Sequence, residues 1–196
     1  MRKMLLCVLL ATGAACGGGN TTTFASGSAT VTGTIGTQSM TAKDAVSVVV
    51  QANSNSAAEI LIANFDGVCA KINAHQEPRN AQALVIQVGI RSSQTGIVAP
   101  TATGTFPVFP IADSFTQVGV QAVVQFQAVD ATCQVTGPTI DAVSGGTVTL
   151  TKIDASGYTG AFDVTFATGG AGSHVTGTFS SAQCAPLQNP VFTTCL

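Results

Sequence analysis

The sequence predicts an all-β protein, a single antiparallel β-sandwich or barrel of about nine strands with one short helix near residues 67–76. Beyond residue 27, apolar and polar residues alternate with a period of two in many segments, which is typical of strands with one buried face. Threonine and valine, which favour strands, are frequent in these segments, and turn residues separate them. A sandwich and a barrel share this pattern, so both remain open.

Six strand candidates precede residue 130. Their bounds are 28–35, 46–52, 58–65, 82–91, 104–109 and 117–129. The longest alternates most regularly, and the residues predicted for its buried face are Val118, Val120, Ala122, Val124, Phe126 and Ala128. Glutamine and glycine occupy most of the positions between them, which predicts a polar opposite face.

The alternation of apolar and polar residues at 145–183 predicts a three-stranded meander. In its middle strand, the aromatic residues Tyr158, Phe162 and Phe166 fall on one face. The turn sequence Asp-Ala-Ser-Gly at 154–157 separates the first two strands, and the glycine-rich segment 169–172 separates the last two. Consecutive strands joined by short turns pair with one another, so we expect three neighbouring strands here.

One segment departs from the strand pattern. Between Asp66 and Glu77, the residues Val68, Ile72 and His75 recur at helical spacing before Pro78 interrupts the chain. The spacing predicts one short helix over about 67–76.

The N-terminus has the layout of an export signal. Arg2 and Lys3 precede an uncharged apolar run at 4–11 that is too short to span a bilayer, and small residues then lead to Cys16. The stretch Gly-Ala-Ala-Cys resembles the lipobox of bacterial lipoproteins, in which cleavage leaves a lipid-modified N-terminal cysteine. It departs from that motif at Gly13, where leucine is usual.

Two outcomes of processing are open at Cys16. Cleavage after residue 15 could release a free secreted protein, because small residues permit ordinary processing as well. The polar run at 17–23, Gly-Gly-Gly-Asn-Thr-Thr-Thr, instead favours a lipid anchor followed by a flexible tether. We therefore expect a signal peptide at 1–15, a lipidated Cys16 with a tether at 16–27, and a β domain at 28–196. Gly17 stands where aspartate would favour inner-membrane retention, so the expected location is the outer membrane of a bacterial cell envelope.

Composition narrows the choice of partners. Without residues 1–15 the chain has 181 residues with five basic and nine acidic side chains, which is enough chain for one domain with a core. The basic residues are scattered, so nucleic acid is not an expected partner. They are Lys43, Lys71, Arg79, Arg91 and Lys152. The expected partner is the membrane, which the protein would contact through lipid on Cys16. We expect a monomer without a cofactor. The sequence does not identify a protein or glycan partner.

Four cysteines remain in the mature domain beside Cys16, and they predict two disulfides in an oxidising compartment. They are Cys69, Cys133, Cys184 and Cys195. Their wide spacing, without a CxxC motif, does not predict a zinc site. Loop closure favours near partners, so the preferred pairing is Cys184–Cys195 with Cys69–Cys133. The rival pairing, Cys69–Cys184 with Cys133–Cys195, is not excluded by the spacing.

Catalytic constellations are weak in this sequence. His174 falls on the polar face of its strand, and His75 lies near the predicted helix end, where surface capping is expected. No Gly-x-Ser-x-Gly motif is present, and the acidic residues are dispersed at predicted turns and strand ends rather than paired. The segment at 104–110, in which Phe106 and Phe109 are each followed by a proline, is best explained as an edge strand, and a recognition loop is the alternative.

Three stretches resemble a group of uncharacterised β-rich bacterial lipoproteins with no assigned activity. They are TAKDAVSVVV (41–50), ILIANFDGVCAKINA (60–74) and the segment 145–184. The resemblance implies a β-rich fold and secretion, and it carries no catalytic residues. The sequence therefore predicts a cell-envelope lipoprotein that acts as a non-enzymatic binding or structural module. The alternative is a hydrolase of envelope polymers, with a site assembled from scattered acids and His174 or His75.

Overall fold

The computed structural model describes residues 23–93, 96–113, 115–136, 143–167 and 173–196, and strands dominate them. The predicted signal peptide, Cys16 and most of the tether lie outside the described residues, as does the predicted turn at 169–172. The strands are β1 (Ser28–Gly33), β2 (Asp44–Ala52), β3 (Asn55–Ala63), β4 (Gln76–Glu77), β5 (Gln82–Ser92), β6 (Gly96–Val98), β7 (Gly104–Pro107), β8 (Gly119–Ala128), β9 (Val143–Asp154), β10 (Gly157–Phe166), β11 (His174–Ser180), β12 (Ala182–Gln183) and β13 (Thr194–Cys195). The helix α1 spans Val68–Asn73, and 3₁₀ helices span Ile111–Asp113 and Ala185–Gln188.

Two sheets form the sandwich. The first sheet has the strand order β1-β11-β10-β9-β7, and its central strands β9, β10 and β11 are the predicted antiparallel meander. The second sheet has the order β12-β2-β3-β5-β6, and β8 pairs with the other edge of β5. A two-residue parallel pair, β4 with β13, lies apart from both sheets. The fold is therefore all-β and sandwich-like, as the alternation predicts.

The main core lies between the two sheets and follows the predicted period of two. In β10, Tyr158, Phe162 and Phe166 are buried, and Asp163 between them is exposed. In β8 the predicted core residues from Ala122 onward are buried, but Val118 and Val120 are 68% and 42% exposed. Two residues of the predicted polar face, Gln121 and Val123, are buried, which the alternation did not predict. Val118 precedes the paired strand, and Val120 lies at its end opposite the partly buried Ile90, so neither reaches the core.

A second apolar cluster covers the outer face of the second sheet. Val68 and Ile72 of α1 and Leu187 of the second 3₁₀ helix pack on Val46 and Val48 of β2. The helix is shorter than the prediction because its chain turns into the left-handed region at His75, with φ of 56°, and then enters β4. This second layer positions the C-terminal segment beside α1.

The chain crosses between the sheets at both sides of the sandwich. Val108, just after β7 in the first sheet, forms a parallel bridge with Ala122 in the second. On the opposite side, the Ser181 N–H donates to Tyr158 in the first sheet, and the Cys184 N–H donates to Ser47 in the second. Because the two sheets are joined at these two places, the fold shares features with a barrel, which explains why the sequence pattern fits both.

The structure corrects the preferred disulfide pairing. The pairs are Cys69–Cys184 and Cys133–Cys195, with Cα–Cα distances of 5.6 and 5.9 Å. The pairing predicted from loop-closure entropy is wrong, because the path of the chain in the folded protein determines which cysteines lie close together. The crossing after β11 places Cys184 above α1, and the following chain then runs away from it to β4 and the turn that contains Cys133.

Candidate functional site

His174 lies on the outer face of the first sheet, as predicted. Its Nε2 atom is 2.7 Å from Oδ1 of Asp163 on the neighbouring strand, and both side chains are exposed. A contact between exposed polar side chains on an open sheet face competes with water and contributes little free energy. The two residues form a surface pair, and we find no nucleophile hydrogen-bonded to the His174 ring among the described contacts.

His75 contacts the C-terminal segment of the chain, residues 191–196, which we call the tail. The contacts found for it among the described residues are structural and do not involve a reacting group. Its Nδ1 atom is 2.8 Å from the Val191 carbonyl oxygen, and because a carbonyl only accepts, Nδ1 carries the proton and donates. The His75 carbonyl accepts from the N–H groups of Thr193 and Thr194. Sequence reasoning expected His75 to cap the helix with its charge. The ring instead binds the tail, and it is the backbone N–H that bonds to Ile72, at 3.0 Å.

Two of the acidic residues, Asp130 and Asp154, bond to nearby groups in turns as predicted, whereas Glu59 and Asp163 lie within strands. A hydrogen bond from the Thr132 hydroxyl, with backbone bonds from Gln134 and Thr132, lowers the pKa of Asp130. Lys152, whose Nζ is 2.6 Å from Asp154, lowers the pKa of that carboxyl most, and Ser156 lowers it further. Within the described residues, no group of three or more His, Cys, Asp and Glu side chains could hold a metal ion.

The proline-flanked phenylalanines at 104–110 belong to the fold. β7 is the edge strand of the first sheet, as expected, and Phe106 is buried in the main core. The Phe109 N–H donates to the Ala122 carbonyl at the bridge between the sheets. The segment therefore closes one side of the sandwich, and the edge-strand interpretation is confirmed.

An apolar cleft lies on the outer side of the second sheet, beside the C-terminal segment; we call it the tail cleft. It encloses about 110 Å³ and is lined mainly by small and apolar residues. Leu61 and Ala83 contribute from neighbouring strands of the sheet, Phe65 from the loop before α1, and Phe192 from the tail. Sheet, loop and tail thus meet at one concave site, which is the usual setting of a small-molecule site.

Glu77 is the one acidic residue among those that line the tail cleft, and Gln82 and Gln127 are the other polar lining residues. Its backbone is fixed, because it pairs with Cys195 in β13 and its carbonyl accepts from the Leu196 N–H at 2.9 Å. None of the hydrogen bonds and ion pairs found among the described residues engages its carboxylate. Burial raises the pKa of Glu77 above the usual value of 4.5, because apolar surroundings disfavour the charged form.

The tail wall of the cleft is tied down at several points. The β4–β13 pairing, the His75–Val191 hydrogen bond and the Cys133–Cys195 disulfide hold residues 191–196 against the domain. Phe192 nevertheless stays 40% exposed at the rim. Sequence reasoning missed this site because its lining comes from distant segments. The apolar residues Val191, Phe192 and Leu196 in the tail were the signal that could have pointed to it.

In the parts of the chain that the structure describes, no helix has the length and apolar character needed to cross a membrane. We compared the chain with protein-family models, curated proteins and solved structures, and no significant match was found in any of the three comparisons.

Proposed function

We propose that the protein is a cell-envelope lipoprotein, anchored in the outer membrane by lipid on Cys16, whose β domain is a non-enzymatic module that binds a small apolar ligand in the tail cleft. Export is supported by the charged and apolar N-terminal layout and by the two disulfides, which suit an oxidising compartment. The anchor is supported by the lipobox-like Gly-Ala-Ala-Cys and the polar tether after it.

The observation that carries the binding function is the composition of the tail cleft. Neither His75 nor His174 is among its lining residues, and it contains a single carboxylate, Glu77. A glycosidase needs two carboxylates across the scissile bond, and a Ser/His/Asp hydrolase needs a histidine beside the nucleophile. The cleft thus has the features of a binding site more than those of the alternative, an envelope-polymer hydrolase.

The size of the cleft limits the ligand. An apolar cavity of about 150 Å³ accommodates benzene, so the smaller tail cleft suits a chain of about four carbons or one branch of a larger molecule. The scattered basic residues are consistent with a partner other than nucleic acid.

Binding in the cleft can be tested with 1-butanol on the mature chain, residues 16–196, by ligand-observed saturation-transfer NMR. We expect a saturable signal that Ala83→Leu abolishes, because the added side chain fills the cleft. Ala161→Leu, a matched change on the outer face of the first sheet, should leave the signal unchanged. Equal signals from the parent and Ala83→Leu chains would contradict the proposed site.

The anchor is tested separately by Cys16→Ser in the native host. Serine has no thiol to accept the lipid, so we expect the variant to leave the membrane fraction and to lack the mass of the lipid at its N-terminus. A variant with unchanged fractionation and unchanged N-terminal mass would exclude lipidation at Cys16.

A further inference from the structure

We infer that the ligand of the tail cleft is a small primary amine, with its apolar chain against Phe65 and Phe192 and its ammonium group on the Glu77 carboxylate. The inference rests on the proposed binding function and names the chemical class of the ligand. It depends on the position of Glu77, the one acid among otherwise apolar and uncharged lining residues.

The backbone of Glu77 is held in place, and its carboxylate has no protein partner among the described residues. The backbone of Glu77 is fixed by the pairing with Cys195 and by the hydrogen bond from the Leu196 N–H. The ion pairs found in the described part of the chain are Lys152–Asp154 and His174–Asp163, and neither involves Glu77. A half-buried, unpaired carboxylate on a fixed backbone favours a cation supplied by a ligand.

Glu59 shows how the same sheet treats a carboxylate that is satisfied. It lies on β3, and its Oε2 atom accepts a hydrogen bond of 2.7 Å from Nε2 of Gln87 on β5. The amides that line the tail cleft, Gln82 and Gln127, are not hydrogen-bonded to Glu77 in this way. Glu59 is therefore a suitable control for any loss of negative charge on this side of the domain.

The surroundings of Glu77 select the charge of the ligand. An ammonium group at the carboxylate gains Coulomb energy that is larger beside apolar groups than in water, and it offsets the desolvation of the carboxylate. A carboxylate on the ligand would be repelled, and a neutral hydroxyl would gain only a hydrogen bond. The expected order of affinity for ligands of equal length is amine, then alcohol, then acid.

The test compares 1-butylamine, 1-butanol and butyrate on the mature chain at neutral pH, by titration in saturation-transfer NMR. We expect butylamine to bind about threefold or more tightly than butanol, the scale of a half-exposed ion pair, and butyrate to give no signal. In Glu77→Gln the affinity for butylamine should fall to that for butanol measured on the same variant. Glu59→Gln should retain the preference for the amine.

The outcomes separate this inference from the function on which it rests. If butanol binds and Ala83→Leu abolishes its binding, but butylamine has no advantage, the ligand class is wrong and the binding site stands. If butylamine keeps its advantage in Glu77→Gln, the placement of the ammonium group on Glu77 is wrong and the binding site again stands. If neither butanol nor butylamine binds, both proposals are wrong. Glu77→Gln conserves the shape of the side chain and removes no internal hydrogen bond, and circular dichroism with disulfide mapping verifies its fold.

Discussion

Asp44 shows how a single buried carboxylate connects three parts of the fold. Its Oδ1 atom accepts from the N–H groups of Gly27 and Ala45 at 2.9 and 2.8 Å, and its Oδ2 atom accepts from the Val68 N–H at 3.0 Å. The side chain thus joins the start of β1, the start of β2 and the first turn of α1. A buried charge is tolerated when backbone donors satisfy it, so Asp44 has a structural role.

We expect Asp44→Asn to lower the free energy of unfolding by about 1.5–3 kcal/mol, the scale of hydrogen bonds to a charged group. Asparagine has one acceptor oxygen, and its amide N–H₂ would face a backbone N–H that also donates. Urea denaturation monitored by circular dichroism measures the loss. Asp66→Asn, an exposed carboxylate two residues before Val68, should change stability by less than about 0.5 kcal/mol. A similar loss in both variants would show that net charge, and not the three bonds, is responsible.

The residue scale also marks a limit of sequence reasoning. Period-two alternation predicted correctly that Tyr158 is buried and that His174 is exposed, because the side-chain face in a strand depends only on the parity of the position. Glu77 and Phe192 could not be placed in one cleft in that way. Their approach depends on how the tail crosses the domain, and no local pattern encodes this.

At the scale of elements, β10 and β11 are matched by two reciprocal pairs of phenylalanine and glycine. Gly160 lies opposite Phe179, and Phe162 lies opposite Gly177. A Cβ atom at Gly160 would approach the Phe179 ring, and one at Gly177 would approach both the Phe162 ring and the Thr30 carbonyl. Each ring therefore lies over the glycine of the neighbouring strand. The ring covers the glycine backbone and fills the space in the core that a side chain would otherwise occupy.

We expect Gly177→Ala to lower the free energy of unfolding by about 1–3 kcal/mol, because the methyl group overpacks the core and disturbs the β1–β11 pairing. Thermal or urea denaturation gives the value. Gly104→Ala is the matched control, since a Cβ there would meet no atom within 4 Å. The prediction would be wrong if Gly177→Ala were as stable as Gly104→Ala.

The sequence predicted the long elements well and the short ones poorly. Each of the predicted strands corresponds to an observed one, because strands of the main sheets bury one face and so alternate. The short strands β4, β6, β12 and β13 were not predicted, since two or three residues cannot show a period. Two of them, β4 and β13, pair with each other and hold the tail beside the candidate site.

At the scale of the whole molecule, the two disulfides hold different parts of the second layer in place. Cys69 and Cys184 are each 1% exposed and belong to the apolar cluster formed with α1. Cys133 and Cys195 are only half-buried, and their bond ties the tail to the turn after β8. The sequence predicted two disulfides correctly, but their pairing follows from the path of the chain after β11, which sequence separation does not contain.

This difference in burial predicts sequential reduction. A dithiol such as dithiothreitol reduces a disulfide in two exchanges: its thiolate attacks one sulfur and displaces the other as a thiolate, and its second thiol then displaces the attacked sulfur from the mixed disulfide, leaving two protein thiols and an oxidised cyclic dithiol. Attack requires access to the sulfur, so Cys133–Cys195 should open first in the folded protein and Cys69–Cys184 only upon unfolding. Alkylation with iodoacetamide followed by peptide mass spectrometry measures the order.

Opening Cys133–Cys195 should release the tail and remove Phe192 from the cleft, while the main core persists because the buried bond and both sheets are intact. We expect the partly reduced protein to keep its strand signal in circular dichroism and to lose 1-butanol binding. In the chain-entropy model, a disulfide that closes a loop of 62 residues contributes about 4 kcal/mol to the free energy of unfolding. The midpoint of urea unfolding should therefore be lower for the partly reduced protein than for the oxidised protein.

The control is reduction in denaturing urea. Burial no longer protects Cys69–Cys184 there, so the two bonds should be reduced at similar rates. Simultaneous alkylation of all four cysteines in the folded protein would show that the tail and the core open as one unit.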